Sequence, residues 1–122
     1  MRIYKITLID LPKTSLNKFY SGGHWIIRKK IKDNFKLVIK SQYTNVFPKD
    51  QQYKVRYDFE FKSRPLDVSN CVGGMVKIIE DTIFEDDSPK TILEITSTSR
   101  KGKYDLVYIT ISELDAEQGK LL

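Results

Sequence analysis

At 122 residues, with 40% hydrophobic and 11% aromatic residues, the chain can bury one core; this excludes an intrinsically disordered protein and argues against two domains. No apolar run approaches the roughly 18 residues of a membrane-spanning helix. A net charge of +5 favours a polyanionic partner, nucleic acid first, with a basic surface kept for solubility as the alternative.

Residues 2–9, RIYKITLI, alternate apolar and polar and predict a strand with Tyr4, Ile6 and Leu8 on one face. That alternation, with no small-residue cleavage site after it, argues against a signal peptide, and the single cysteine, Cys71, has no partner for an internal disulfide. The expectation is a cytoplasmic protein. Residues 10–24 carry Pro12, Ser15, Asn17, Gly22 and Gly23 and predict a loop. A helix is predicted from about Trp25 to Tyr43, with Ile27, Ile31, Phe35 and Val38 as its buried stripe and Arg28, Lys32, Lys36 and Lys40 as an adjacent basic one. After a loop over 44–52, residues 53–62 form the clearest strand: Tyr53, Val55, Tyr57, Phe59 and Phe61 share one face, and charged residues share the other.

A loop through Pro65 leads to a second predicted helix, about Ser69 to Thr82, with an apolar stripe of Val72, Met75, Val76 and Ile79 that reaches Ile83. Ser69 or Asn70 can cap it. Gly73-Gly74 costs this helix on the order of 1–2 kcal/mol against alanine, so close approach of a neighbour or a bend is expected there. Residues 90–98 and 104–111 predict two strands joined as a hairpin by the turn SRKGK. The order is β-α-β-α-β-β. The expected fold class is α+β: a small mixed β-sheet with two main helices packed on one face. One domain is expected over 1–112, with a polar C-terminal tail over 113–122.

Two acidic points flank the second helix: Asp67 before it, and Glu85-Asp86-Asp87 after it. A helix of about 14 residues is about 20 Å long. The two points therefore meet only if the following loop folds back along the helix, or if a second chain supplies one of them. Carboxylates gathered beside a basic surface suit Mg²⁺ at a phosphodiester, because the hard cation takes oxygen ligands and activates a water, while the surrounding lysines and arginines bind the phosphate backbone. The alternative is structural: Asp67 stabilises a helix N-terminus, and 85–87 is a solvated turn.

The pattern Asp67-Val68-Ser69-Asn70, then Lys77 and Asp81 on the helix, then Asp86-Asp87-Ser88, resembles the RusA family of Holliday-junction resolvases, many of them carried by bacteriophages and prophages. SLNKFYSGGHWIIRKK (15–30) is similar to that family's Ser-x-Asn-x-x-Tyr loop and the basic helix after it. The order of elements also agrees, so the resemblance extends to about Ser112. It implies a homodimer that cuts four-way DNA junctions with Mg²⁺ (Mn²⁺ as a substitute) by attack of a metal-activated water, leaving two symmetric nicks for recombination and repair. It implies Asp67 and Asp87 as catalytic metal ligands, with Asp86 beside them.

Two positions depart from the family pattern. Ser69 stands where the best-known members carry a further aspartate, and Gly73 where they carry a lysine. Lys77, one helical turn on, can reach back to stabilise charge on the phosphate or the leaving group; its alternative is a solvated lysine paired with Glu80 or Asp81. For DNA contact the expected residues are Asn17, Lys18, Tyr20 and His24 of the loop, Arg28, Lys29 and Lys32 of the basic helix, Arg64 and Asn70. Each has a plainer reading, such as a salt bridge from Arg64 to Asp67. Two further functions stay open: a catalytically impaired module of this type that binds branched DNA or a protein partner without cleavage, and an RNA-binding protein.

Overall fold

Strict alternation along the strands and apolar stripes on the helices fold the chain into one sheet with both helices on one face, as seen in a computed structural model that describes residues 2–13 and 25–114. The elements are β1 (Ile3–Ile9), α1 (Trp25–Lys40), β2 (Gln52–Phe61), a second helix α2 over residues 68–83, β3 (Ile92–Lys101) and β4 (Leu106–Leu114). The sheet order is β1-β4-β2-β3. β4 runs antiparallel to both β1 and β2, whereas β3 runs parallel to β2. The result is the mixed sheet with two helices that the alternation and stripes predict. No helix among the described residues is long and apolar enough to cross a membrane.

The strand register builds the core in rows. Leu8, Val107 and Phe59 line up across β1, β4 and β2; so do Ile6, Ile109 and Tyr57, and then Tyr4, Ile111 and Val55. From the helix side, Phe35 and Ile39 of α1 and Cys71, Met75, Val76, Ile78, Ile79 and Ile83 of α2 join the same buried cluster. Ile39, fully buried, joins Phe35 at the centre of the α1 stripe, and Val38 is only half-buried. The helix ends at Lys40, where Tyr43 N–H turns back to the Ile39 carbonyl at 2.8 Å. Gln42 then ties this end to β1, bonding the Ile9 N–H and carbonyl at 2.7 Å each.

The expected β3–β4 hairpin does not form. β2 lies between these strands, paired with both. The aromatic face of β2 gains a neighbour on each side, and SRKGK is no hairpin turn: Arg100 and Lys101 belong to β3, and the chain then crosses the end of β2. Gly102 N–H donates to the Phe61 carbonyl at 2.9 Å, and Asp105 Oδ1 accepts from Lys62 N–H at 3.0 Å. A Cβ at Gly102 would lie 2.9 Å from Glu60 Cδ, so a larger residue where the crossing passes would push the end of that side chain aside. Glu60 itself pairs with Arg100 at 2.7 Å on the outer face of the sheet.

Parallel pairing of β2 and β3 requires a crossover, and α2 supplies it. It runs as α-helix over Val68–Asn70, π-helix over Cys71–Val76 and α-helix over Lys77–Ile83. The wider π turn, an i→i+5 arrangement, takes in Gly73-Gly74, which is how the helix answers the bend expected there.

Candidate functional site

The strand directions decide where the acidic residues go. Asp67 follows the C-terminal end of β2, and Asp86-Asp87 precede the N-terminal end of β3. Because β2 and β3 are parallel, these points lie at opposite ends of α2. Sixteen helical residues span about 24 Å. The chain after α2 does not run back along the helix. Phe84 instead bridges to Phe47, with Phe47 N–H donating to the Ile83 carbonyl at 2.8 Å and Glu85 N–H to the Phe47 carbonyl at 2.9 Å. One chain thus does not bring Asp67 and Asp86-Asp87 together, and among the described residues no three of its Asp, Glu, His and Cys side chains form a metal-holding group.

At the Asp67 end, Lys13, Arg64, Pro65, Leu66, Asp67 and Asn70 line an open groove. Its floor is pinned by two donors to the Leu66 carbonyl, Ser99 Oγ on β3 and Cys71 Sγ on α2. Lys13 Nζ sits over the Phe61 ring, 5.3 Å from its centre, and donates to the Arg64 carbonyl and, at 3.4 Å, to Ser63 Oγ. Asp67 occupies the N-cap position, yet its exposed carboxylate makes no capping bond, and neither Ser69 nor Asn70 takes that role. These two residues fall inside the helix, two and three positions past the N-cap. Arg64 is exposed and forms no ion pair with Asp67 among the described residues. Burial pushes the Cys71 thiol up, and Asp67 adds to this while Ser99 and Lys13 oppose it. Such a thiol is a packing group and not a nucleophile.

At the other end the three acids of the turn divide their roles. Glu85 Oε1 accepts from Lys49 N–H at 3.0 Å. Asp86 accepts from Ser88 N–H at 3.2 Å, Ser88 Oγ at 2.6 Å and Thr91 Oγ1 at 2.9 Å, and the Ser88 and Thr91 bonds hold its carboxyl below the usual range. Asp87 is exposed and has no hydrogen bond or ion pair among the described residues. Its charge acts inward on two buried groups, Glu80 and Tyr57.

Glu80 is 2% exposed, and its Oε1 has no hydrogen-bond partner. Burial pushes its carboxyl up to about 7; Lys77 opposes this, and Asp87 and Asp81 reinforce it. The Tyr57 hydroxyl is also buried and unpartnered, and burial, then Glu80, then Asp87 raise it well above the usual phenol value. Ser97, the register partner of Tyr57 on β3, has the third orphaned oxygen. Lys77 is exposed on the rim and is not paired with Asp81, which Lys32 takes at 2.7 Å.

The basic face of α1 is less free than its sequence suggests. Lys32 is held by Asp81, and Lys29 pairs with Asp33 at 3.4 Å, while Arg28 has no ion pair among the described residues. Asn17, Lys18, Tyr20 and His24 lie outside the described residues. Sequence reasoning missed Lys13, Glu80, Tyr57 and Ser97 as site residues. For Glu80 a signal existed, because it stands four residues after Val76 and beside Ile79 on the apolar stripe. Lys13 carried none, since only the fold brings it beside Arg64.

No family model matches the chain, and no curated protein matches it either.

Proposed function

We propose that the chain is one subunit of a homodimeric, divalent-metal-dependent endodeoxyribonuclease that acts on four-way or otherwise branched DNA. One observation carries this reading. Of the acidic residues in the RusA-type pattern, Asp67 and Asp87 alone have exposed carboxylates free of hydrogen bonds and ion pairs among the described residues, while Asp86 and Asp81 are engaged. Their separation within one chain makes the site composite. A two-fold axis that sets two α2 helices side by side and antiparallel would place the Asp67 end of one subunit against the Asp87 end of the other. Two such sites would form, matching the symmetry of a four-way junction.

The donors suit Mg²⁺ or Mn²⁺, being carboxylate oxygens, with Asp67 and Asp87 as the holders and Asp86 as the residue that fixes the turn. A bound divalent cation would polarise a phosphate oxygen and lower the pKa of an attacking water. The chain's own part is to bind and orient. Lys13 and Arg64 would grip phosphate across the groove, Asn70 and Arg28 would extend that contact, and Lys77 would offset charge developing on the phosphate. The RusA-type resemblance implies the cytoplasm of a bacterial host as the place of work, with a phage or prophage as the source.

A second reading, a junction-binding module without cleavage, is favoured by Ser69 and by the lack of a three-ligand group within the described chain. Nicking of a four-way junction in Mg²⁺ or Mn²⁺ separates the two. Asp67→Asn and Asp87→Asn homodimers should each be inactive, and mixing them should restore nicking, because one of the two composite sites in the mixed dimer is intact. Tight junction binding by the unaltered protein without nicks would establish the module instead.

A further inference from the structure

β3 ends the sheet: it pairs with β2, and its other edge has no neighbour among the described residues. The opposite edge strand, β1, is stopped at Ile9, whose N–H and carbonyl are both taken by Gln42. β3 has no such stop among the described residues. Its one irregularity lies near its start, where Leu93 has no register partner. From Glu94 to Lys101 the pairing with β2 is regular, and the run contains no proline. An open edge of this kind pairs with another strand unless charge, proline or a bulge prevents it. The helix-side face of β3 is also incompletely covered. Ile95, in register with the buried Val55, is 40% exposed, and the Ser97 hydroxyl has no hydrogen-bond partner.

The sequence of this edge is complementary to itself. On the outer face of the sheet Glu94 pairs with Lys54 at 3.0 Å and Arg100 with Glu60 at 2.7 Å, yet Glu94 remains 53% exposed and Arg100 64%. Each can take a second partner. A two-fold axis at Ser97 would set two β3 strands antiparallel, with Glu94 opposite the partner's Arg100, Ile95 opposite the partner's Ser99, and Ser97 opposite its own copy. Registers centred one residue to either side set Glu94 opposite the partner's Thr98 or the partner's Gly102 and place no acid against a base. With the axis at Ser97, Lys54, Glu94, the partner's Arg100 and the partner's Glu60 form one row of alternating charge, and symmetry repeats the row. Opposite charges directly across antiparallel strands stabilise the pairing, and like charges weaken it.

We propose that two copies of the chain join through their β3 edges, antiparallel about Ser97, to make one continuous eight-stranded sheet from two four-stranded ones. This deepens the reading above by naming the surface and register of the dimer, and it rests on that reading only for the use made of the acids. α2 leads from the end of β2 to the start of β3, so in the joint sheet the two α2 helices lie on one face and point in opposite directions. Lys101 lies beside the partner's Leu93. The loop after β2 of one subunit and the turn before β3 of the other therefore come to the same end of the sheet. These segments carry Asp67 and the partner's Asp87, so neither site is complete without the second copy.

Sedimentation velocity on the full chain tests the interface, and both charged positions are on the surface, where reversal leaves the core untouched. The unaltered chain should sediment as a dimer. Glu94→Arg and Arg100→Glu should each raise the dimer dissociation constant by about 10-fold or more, because each sets like charges face to face at two places. Equimolar mixing of the two variants should restore a dimer, since every Glu94–Arg100 position in the mixed pair is then of opposite charge. A monomeric unaltered chain, variants that dimerise as the unaltered chain does, or a mixture that associates no more tightly than the variants alone overturns the proposal. A dimer with this charge dependence that leaves a four-way junction uncut in Mg²⁺ counts against the nuclease reading alone. Nicking by a dimer indifferent to both reversals counts against this inference alone.

Discussion

Glutamine at position 80 keeps the shape of the buried side chain and removes its titration. In the folded protein the Glu80 carboxyl is pushed from the ordinary 4.5 up to about 7 by burial, against Lys77 and with Asp87 and Asp81. A raised carboxyl favours the protonated form of the folded state. Its contribution to stability is therefore complete below about pH 4.5 and is lost as the pH climbs through about 7. At 1.36 kcal/mol per pH unit, the displacement corresponds to about 3 kcal/mol, a fair fraction of a small domain's stability, or about 10 °C in melting temperature. Glu80→Gln should match the natural protein near pH 4.5 and exceed it by about this amount near pH 8.5. Urea denaturation across that range, with chelator present, gives the difference directly, and groups common to both proteins cancel from it. Asp87→Asn on the natural background should shrink the pH dependence by removing a repulsive neighbour. A stability difference between Glu80→Gln and the natural protein that stays flat from pH 4.5 to 8.5 would show that the Glu80 carboxyl is not held in a dry, acid-lined place.

Three further outcomes follow from the hydrogen bonds and ion pairs. Asp86→Ala, which strips the turn of three accepted bonds, should cost about 1–3 kcal/mol in urea melts, whereas Asp87→Asn should stay within about 0.5 kcal/mol without metal. Ser99→Ala should cost about 1 kcal/mol and speed amide hydrogen exchange over residues 64–67, because the Leu66 carbonyl loses its donor from β3. A double-mutant cycle on Lys32 and Asp81 should return a coupling below about 1 kcal/mol, since both partners are partly solvated.

The strands and helices were legible where one face had to be buried. The two-residue period of 53–62 marked β2 to within a residue at each end, and the stripe from Val72 to Ile83 marked α2. The pairing of β3 was not legible. SRKGK looks like a turn locally, but the aromatic face of β2 needs a neighbour on each side, and that is a demand of tertiary packing. The acidic residues at 67 and 86–87 stood out in the sequence, whereas their separation became visible only once β2 and β3 were seen to be parallel. Glu80 was hidden by type. A glutamate is assigned to solvent by default, but α2 is flanked by α1 as well as the sheet and buries more of its circumference than one stripe. The missing N-cap bond has the same lesson on a smaller scale: Ser69 and Asn70 have suitable side chains but lie inside the helix.

The position of β4 has a consequence for how the protein comes into being. The last of the described strands fills the slot between the first and the second, so β1 has no neighbour in the described sheet until residues 106–114 have left the ribosome. Most of the chain must wait, partly assembled, with the aromatic row of β2 open along one side. Loss of residues 106–114 would orphan β1 and part the sheet between β1 and β2.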